Sequence, residues 1–365
     1  MTAEPLRAPD APVPMFDLAR PHEFHVELTD KCNAGCPLCP RTDAMNFCKP
    51  DRSRVFNVEL GLDLIRRQFD DAMCARTGLV VFSGAYGDPI AASELLEIVD
   101  HLTARGVRVA ISTNGGLRRP AWWRKLGEAL KRTDSRVELH VDGLADTNPL
   151  YRVHTDFDRI MANAAACIAT GARVEWHFIA FRHNQHQIRE VADLAREMGF
   201  ADFVLIDSIR FSKRQAHPYR TPDGKLRTLE PPSIRTADQL PPGVSGEPPL
   251  RTDARGPERA LEVNGIRCKS AALNRAYISA HGIVSACCWV TGSTDEARLL
   301  AENGIDPARH DIHLRPLSEI LADEPFASLY ARNWAEDRLD NCRRKCGLGF
   351  MNRRRSAAPA ADAAG

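Results

Sequence analysis

Cys32, Cys36 and Cys39 lie in the stretch TDKCNAGCPLCPRT, residues 29–42, with the spacing C-x3-C-x2-C. Thiolates are soft ligands, and three so close in sequence can grip one inorganic centre. The next cysteine, Cys48, comes nine residues later, so the local set stops at three. Cubane iron–sulfur clusters normally take four thiolates, one per iron. Three leave one iron open to another molecule, as three protein ligands leave a position open on catalytic zinc. Structural zinc and unliganded core cysteines are the competing readings, but structural zinc is closed by four ligands, usually in C-x2-C pairs. Pro37 and Pro40 discourage helix in this loop, and Gly35 permits a tight path.

A second set is closed. Cys268, Cys287, Cys342 and Cys346 offer four thiolates, enough for every iron of a 4Fe–4S cluster. Four cysteines also suit structural zinc, so that reading competes here too. Cys288 adjoins Cys287, and either can be the ligand. Cys74 and Cys167 sit in helical patterns and read as core cysteines. His140, His177, His183 and His186 stand near strand ends and could serve as acid or base.

Alternating elements must position these groups. Strand candidates are Phe24–Leu28, Gly78–Ser83, Val107–Ser112, Arg136–Val141, Arg173–Ala180 and Phe203–Asp207. Between them run helical patterns, such as Leu95, Ile98, Val99 and Leu102 before Gly106, and Ile188, Val191, Ala192 and Ala195 before Gly199. Six strands alternating with helices predict an α/β fold, a parallel sheet in an open, partial (β/α)6 barrel. Cys32 then follows the first strand, at the face where βα barrels place their active sites. The expected division is an extension at 1–23, the barrel at 24–211 and a Pro/Gly-rich linker or surface excursion at 212–260. A small α+β module at 261–350 follows, with two short strands turning at His281–Gly282 and a helical stretch over Leu317–Trp334. A low-complexity tail at 351–365 reads as disordered.

The 365 residues carry a formal net charge of +1, which gives no global argument for nucleic acid as partner. No apolar run approaches a membrane span and no signal-peptide core opens the chain, so a cytoplasmic location is expected. Eleven cysteines in a reducing cytosol point to metal or redox chemistry rather than disulfides. Twenty-three residues before the first strand candidate are too few for a leader-peptide-binding domain.

C-x3-C-x2-C after the first strand of a partial barrel resembles the radical S-adenosylmethionine (SAM) superfamily. The resemblance covers residues 24–211. It implies a 4Fe–4S cluster on Cys32, Cys36 and Cys39 whose open iron chelates SAM. One electron then cleaves SAM to a 5′-deoxyadenosyl radical, which abstracts hydrogen from substrate. Gly84, Gly87 and Asp88, in FSGAYGDP, occupy the place of the family's glycine-glycine-glutamate element for the SAM amino group. Ser112, Thr113 and Asn114 resemble its ribose-contacting strand end, and Asp142 in HVDG ends the fourth strand. Leu38 stands where the family usually has an aromatic residue beside adenine. C-x13-G-x4-C over Cys268, Gly282 and Cys287, with C-x3-C at Cys342 and Cys346, resembles the twitch/SPASM auxiliary-cluster module. That implies one auxiliary 4Fe–4S cluster for electron transfer or substrate binding. The expected partners are a peptide or small-molecule substrate and a flavodoxin- or ferredoxin-type electron donor. Peptide or protein modification or natural-product biosynthesis leads. Oxidation or epimerisation of a sugar-like molecule, RNA modification, and a non-catalytic iron–sulfur or zinc protein are the alternatives.

Overall fold

A computed structural model describes residues 14–206, 211, 216–241, 262–336 and 338–347. The expected tail at 351–365, Asp207 and all of 242–261 lie outside the described residues. The chain divides into two compact units. One is Val26–Ala75 with Leu79–Arg251; the other is Met1–His25 with Arg76–Gly78 and Thr252–Gly365.

All six expected strands form, each within two residues of its predicted start: β1 (His22–Val26), β2 (Thr77–Phe82), β3 (Arg108–Thr113), β4 (Arg136–His140), β5 (Arg173–Ile179) and β6 (Asp202–Ile206). From β2 to β6 each strand pairs in parallel with the next. The Ser83 N–H reaches the Val26 carbonyl (3.3 Å), which sets the end of β1 beside the end of β2. Connecting helices include α1 (Leu95–Thr103), α2 (Pro120–Leu130), α3 (Phe157–Ile168) and α4 (Ile188–Glu197). Their apolar stripes are buried; in α1 these are Leu95, Ile98, Val99 and Leu102. Gly106 at φ +78° and Gly199 at φ +83° follow α1 and α4, the left-handed conformation that ends helices. This is the α/β partial barrel anticipated from the strand pattern.

The 212–260 segment is more ordered than a linker where it is described. An antiparallel hairpin, β7 (His217–Arg220) and β8 (Leu226–Leu229), belongs to the barrel unit. Tyr219 and Leu229 bury themselves among Ala34, Cys36, Cys48, Tyr151, Val153 and Phe181. Two apolar anchors in a Pro- and charge-rich stretch make no period, so sequence pattern alone reads as loop. Pro218 is tolerated because a two-stranded ribbon has only edge strands.

In the other unit, β9 (Arg275–Ile278) and β10 (Val284–Ser285) form the expected hairpin, turning at Gly282 with φ +82°. The segment before β1 packs here. The Asn274 side chain receives the Asp17 N–H (2.8 Å) and donates to the Asp17 and Pro21 carbonyls. The expected helix over Leu317–Trp334 is instead two, Leu317–Ala322 and α5 (Leu329–Ala335), because Pro325 cannot continue the first. No helix among the described residues is long and apolar enough to cross a membrane.

Candidate active site

The three-cysteine loop is fixed by main-chain contacts. The Cys39 N–H bonds the Cys36 carbonyl (2.9 Å), and the Gly35 N–H bonds the Val153 carbonyl (2.9 Å). A Cβ on Gly35 would stand 2.4 Å from the Cys48 carbonyl oxygen, so only glycine fits. Buried Arg41 points its guanidinium at the Ala34 and Asp30 carbonyls (3.4 and 3.5 Å). Leu38, Cys32 and Cys39 pack, half-buried, against the apolar cluster that holds Cys36.

The strand ends converge on this loop. The Asp88 N–H bonds the Lys31 carbonyl (2.8 Å). Gly84 and Gly87 are obligatory: a Cβ on Gly87 would lie 1.7 Å from the Thr29 carbonyl oxygen, and one on Gly84 2.0 Å from the Gly87 carbonyl oxygen. Glu27, buried, accepts the Tyr86 and Gly87 N–H groups (2.6 and 2.9 Å). Asn114 reaches the Cys32 sulfur with Nδ2 (3.6 Å), and the Ala34 N–H points at the same sulfur (3.3 Å).

The two carboxylates proposed from sequence lie beneath the loop. Asp88 is buried and accepts from Thr113 Oγ1 (2.8 Å), the Asn114 N–H (2.9 Å), Asn114 Nδ2 (2.6 Å) and the Ile90 N–H (3.0 Å). It welds the ends of β2 and β3. Burial raises its pKa, against the pull of those bonds. Asp142 is fully buried and pairs with Arg152 Nε (2.6 Å) while accepting the Ile179 N–H (2.6 Å). Arg152 Nη1 then donates to the Cys36 sulfur (3.8 Å). Burial pulls the Arg152 guanidinium down, but Asp142, with the Cys36 thiol and Tyr151, outweighs it and holds the group protonated. Burial lifts the Cys32 thiol strongly and the Cys36 thiol to about 11, the latter opposed by Arg152. Thiols raised by burial in this way need a cationic partner to be held as thiolates.

Ser112 faces the barrel interior instead of the loop. Its Oγ donates to Glu138 Oε2 (2.5 Å) and stands 3.4 Å from His140 Nε2. Beside them, the His140 and His177 rings meet edge to face at 5.0 Å, and Glu175 Oε2 lies 3.1 Å from His177 Nε2. Sequence reasoning named these histidines but missed the glutamates. The available signal was a repeated phrase, RVELH in β4 and RVEWH in β5, whose alternate residues share one face. His183 and His186 do not join this group among the contacts described: His183 stacks on Phe181 (5.4 Å), and His186 sits in a 3₁₀ turn.

In the other unit Cys268 lies within electrostatic reach of Cys287, Cys342 and Cys346. Cys268 caps the Lys269–Ala272 helix, Cys287 follows β10, and Cys342 and Cys346 sit one turn apart on α6 (Asp340–Cys346). Burial and then the neighbouring Cys346 push the Cys268 thiol up to about 12. Burial, Cys288 and Cys268 raise that of Cys287 well above its ordinary value. All eleven cysteines are free of disulfides.

Residues 26–195 match the family model described as the radical SAM superfamily. The Fe-coproporphyrin III synthase of Methanosarcina barkeri (strain Fusaro / DSM 804) is 27% identical over 172 residues, 47% of this chain and 40% of that protein. The chain thus spans under half the length of that relative. The solved structure of anSMEcpe with bound AdoMet is similar over 92% of this chain and 96% of that one, with TM-score 0.58 and 14% identity. Streptococcus suis SuiB bound to the precursor peptide SuiA is similar over 85% and 66%, with TM-score 0.54 and 14% identity. Such identities speak to fold alone. The residues that match the radical SAM model include Cys32, Cys36 and Cys39, and span just under half of the chain.

Proposed function

We propose that this chain is a radical SAM enzyme in which Cys32, Cys36 and Cys39 hold a 4Fe–4S cluster and SAM completes it. The observation that carries this is a loop that gathers Cys32, Cys36 and Cys39 and is pinned by the ends of β2 and β3, while the nearby Cys48 turns its Sγ to the Arg220 carbonyl (3.5 Å). The donor set fits the group. Three sulfurs share one loop, an N–H and an amide address Cys32, and a guanidinium addresses Cys36. Such donors favour thiolate over thiol and moderate the charge of a thiolate-bound centre. A single zinc ion holds its thiolates at about 2.3 Å, so their sulfurs would crowd within ~3.8 Å of one another.

When bound, the cluster supplies the electron that converts SAM into methionine and a hydrogen-abstracting 5′-deoxyadenosyl radical. The chain's own residues bind and orient. Gly84 and Gly87 let the turn after β2 close onto its own main chain and the Thr29 carbonyl, which would present backbone carbonyls to the SAM ammonium, and Leu38 would offer adenine an apolar contact. Asp88, Thr113 and Asp142 are positioning residues, since their polar atoms are already spent on Asn114, on each other and on Arg152. Asn114 orients Cys32, and Ser112 marks the passage from the SAM site to the barrel interior.

In the second unit, Cys268, Cys287, Cys342 and Cys346 hold an auxiliary cluster, in keeping with their mutual electrostatic influence. A peptide is the proposed substrate, supported by the fold likeness to SuiB with its precursor peptide. A tetrapyrrole is the second reading, favoured by the Fe-coproporphyrin III synthase match. A flavodoxin- or ferredoxin-type protein is the proposed electron source.

The test is 5′-deoxyadenosine formation by anaerobically reconstituted protein given SAM and dithionite, followed by mass spectrometry. Wild type should form it and Cys36→Ala should not. Equal formation by both would remove the assignment.

A further inference from the structure

Strands β4 and β5 carry the same inward phrase in register: Arg136 lies opposite Arg173, Glu138 opposite Glu175 and His140 opposite His177. Period-two geometry sends all six side chains to one face. At the far end of that face, Glu138, His140 and His177 bring one ligand atom each within 4.8 Å of the others. Two imidazoles and a carboxylate are a donor set for first-row divalent cations, and three ligands leave coordination positions open.

The surroundings fit such a site. With His177 Nε2 on Glu175 Oε2 (3.1 Å), the lone pair toward a cation is on Nδ1, the arrangement in which a carboxylate fixes the tautomer of a ligating histidine. Glu138 is likewise oriented, with Arg136 Nε on Oε1 (2.9 Å) and the Ser112 hydroxyl on Oε2 (2.5 Å). Arg173 pairs with Glu175 Oε1 (2.9 Å) and with Asp202, so the second glutamate is compensated as well. Arg136 and Arg173 therefore neutralise the lower rungs, and a cation at the upper one would share Glu138 Oε2 with Ser112.

We infer that Glu138, His140 and His177 form a binding site for a divalent transition-metal ion in the barrel interior, separate from both cysteine sets. Its open positions would take an oxygen donor of a substrate, a carboxylate or an amide carbonyl. The inference does not depend on SAM cleavage, because binding is read directly.

The probe is zinc(II), added to anaerobic protein with its cysteine-bound clusters reconstituted and then freed of loose metal. Retained zinc is counted by mass spectrometry after gel filtration, affinity is measured by calorimetry, and zinc K-edge X-ray absorption reads the ligand type. Wild type should retain one zinc in a nitrogen/oxygen shell with imidazole scattering. His140→Gln and His177→Gln should lose it with iron content unchanged, and Glu175→Gln should weaken it by roughly tenfold. His183→Gln should bind as wild type does. No retained zinc, a sulfur shell, or full retention in both His140→Gln and His177→Gln would overturn the site. The absorption measurement needs only wild type, so a variant that misfolds does not shelter the claim.

Discussion

Arg152 ties a charge to a sulfur. Its guanidinium spans a fully buried carboxylate and the Cys36 thiol, and neither contact is replaceable by a methylene chain. Removing one member of a buried pair leaves the other charge without compensation, which costs about 3–5 kcal/mol. Arg152→Met should therefore lower the free energy of unfolding by a matching amount, and should reduce iron uptake at the three-cysteine loop more than at the second set. Urea unfolding and iron counting check the two effects. His22 offers a pH-dependent case. It is buried against Phe16 (4.9 Å), and burial, helped by Arg76, holds its imidazole down to about 4 against the pull of Asp17. The folded state thus prefers neutral imidazole. The stabilisation is complete above 6.5 and is lost as pH falls through about 4. His22→Phe, which keeps the ring, should flatten this acid limb in thermal melts taken across that range.

Elements matter because they bring main chain against main chain. The turn after β2 touches the cysteine loop with no room for a side chain at Gly87. Gly87→Ala would force the Thr29 carbonyl away, and backbone cannot yield as a side-chain tip can. SAM affinity measured by equilibrium dialysis should fall at least tenfold, about 1.4 kcal/mol, beyond the ~0.5 kcal/mol typical of a surface substitution. Much of this was legible beforehand. The β-rich runs located all six barrel strands, because β-branched, aromatic and other apolar residues bounded by turn residues leave a local signature. The cysteine spacing located the loop. The partners of Asp88 and Asp142 were illegible, because hydrogen bonds to Asn114 and Arg152 depend on neighbouring strand ends, not on local pattern. The β7–β8 hairpin escaped for the same reason: its two buried anchors answer to residues far away in sequence. The RVELH and RVEWH phrases were visible as text, but their meaning depends on register, which only the folded sheet supplies.

At the scale of the whole molecule, two cysteine sets sit in two compact units. Their loss should be separable. Cys268→Ala or Cys342→Ala should lower total iron while SAM cleavage in the barrel persists. Iron analysis beside 5′-deoxyadenosine yield tests this. Unchanged iron with bound zinc would mark the second set as a structural zinc site.

The Asn274 side chain that clasps Asp17 lies 257 residues further along the chain. The barrel unit, by contrast, draws nearly all of its residues from one stretch, Val26–Ala75 and Leu79–Arg251. A ribosome therefore delivers residues 26–251 before Met15 and Phe16, in the segment held by Asn274, can meet their partners from residues 262–347. Those side chains, almost completely buried in the finished fold, must wait in solvent or in a chaperone's grip until the last quarter of the chain emerges. Expression yield should accordingly depend on how residues 14–25 fare before residues 262–347 have been made.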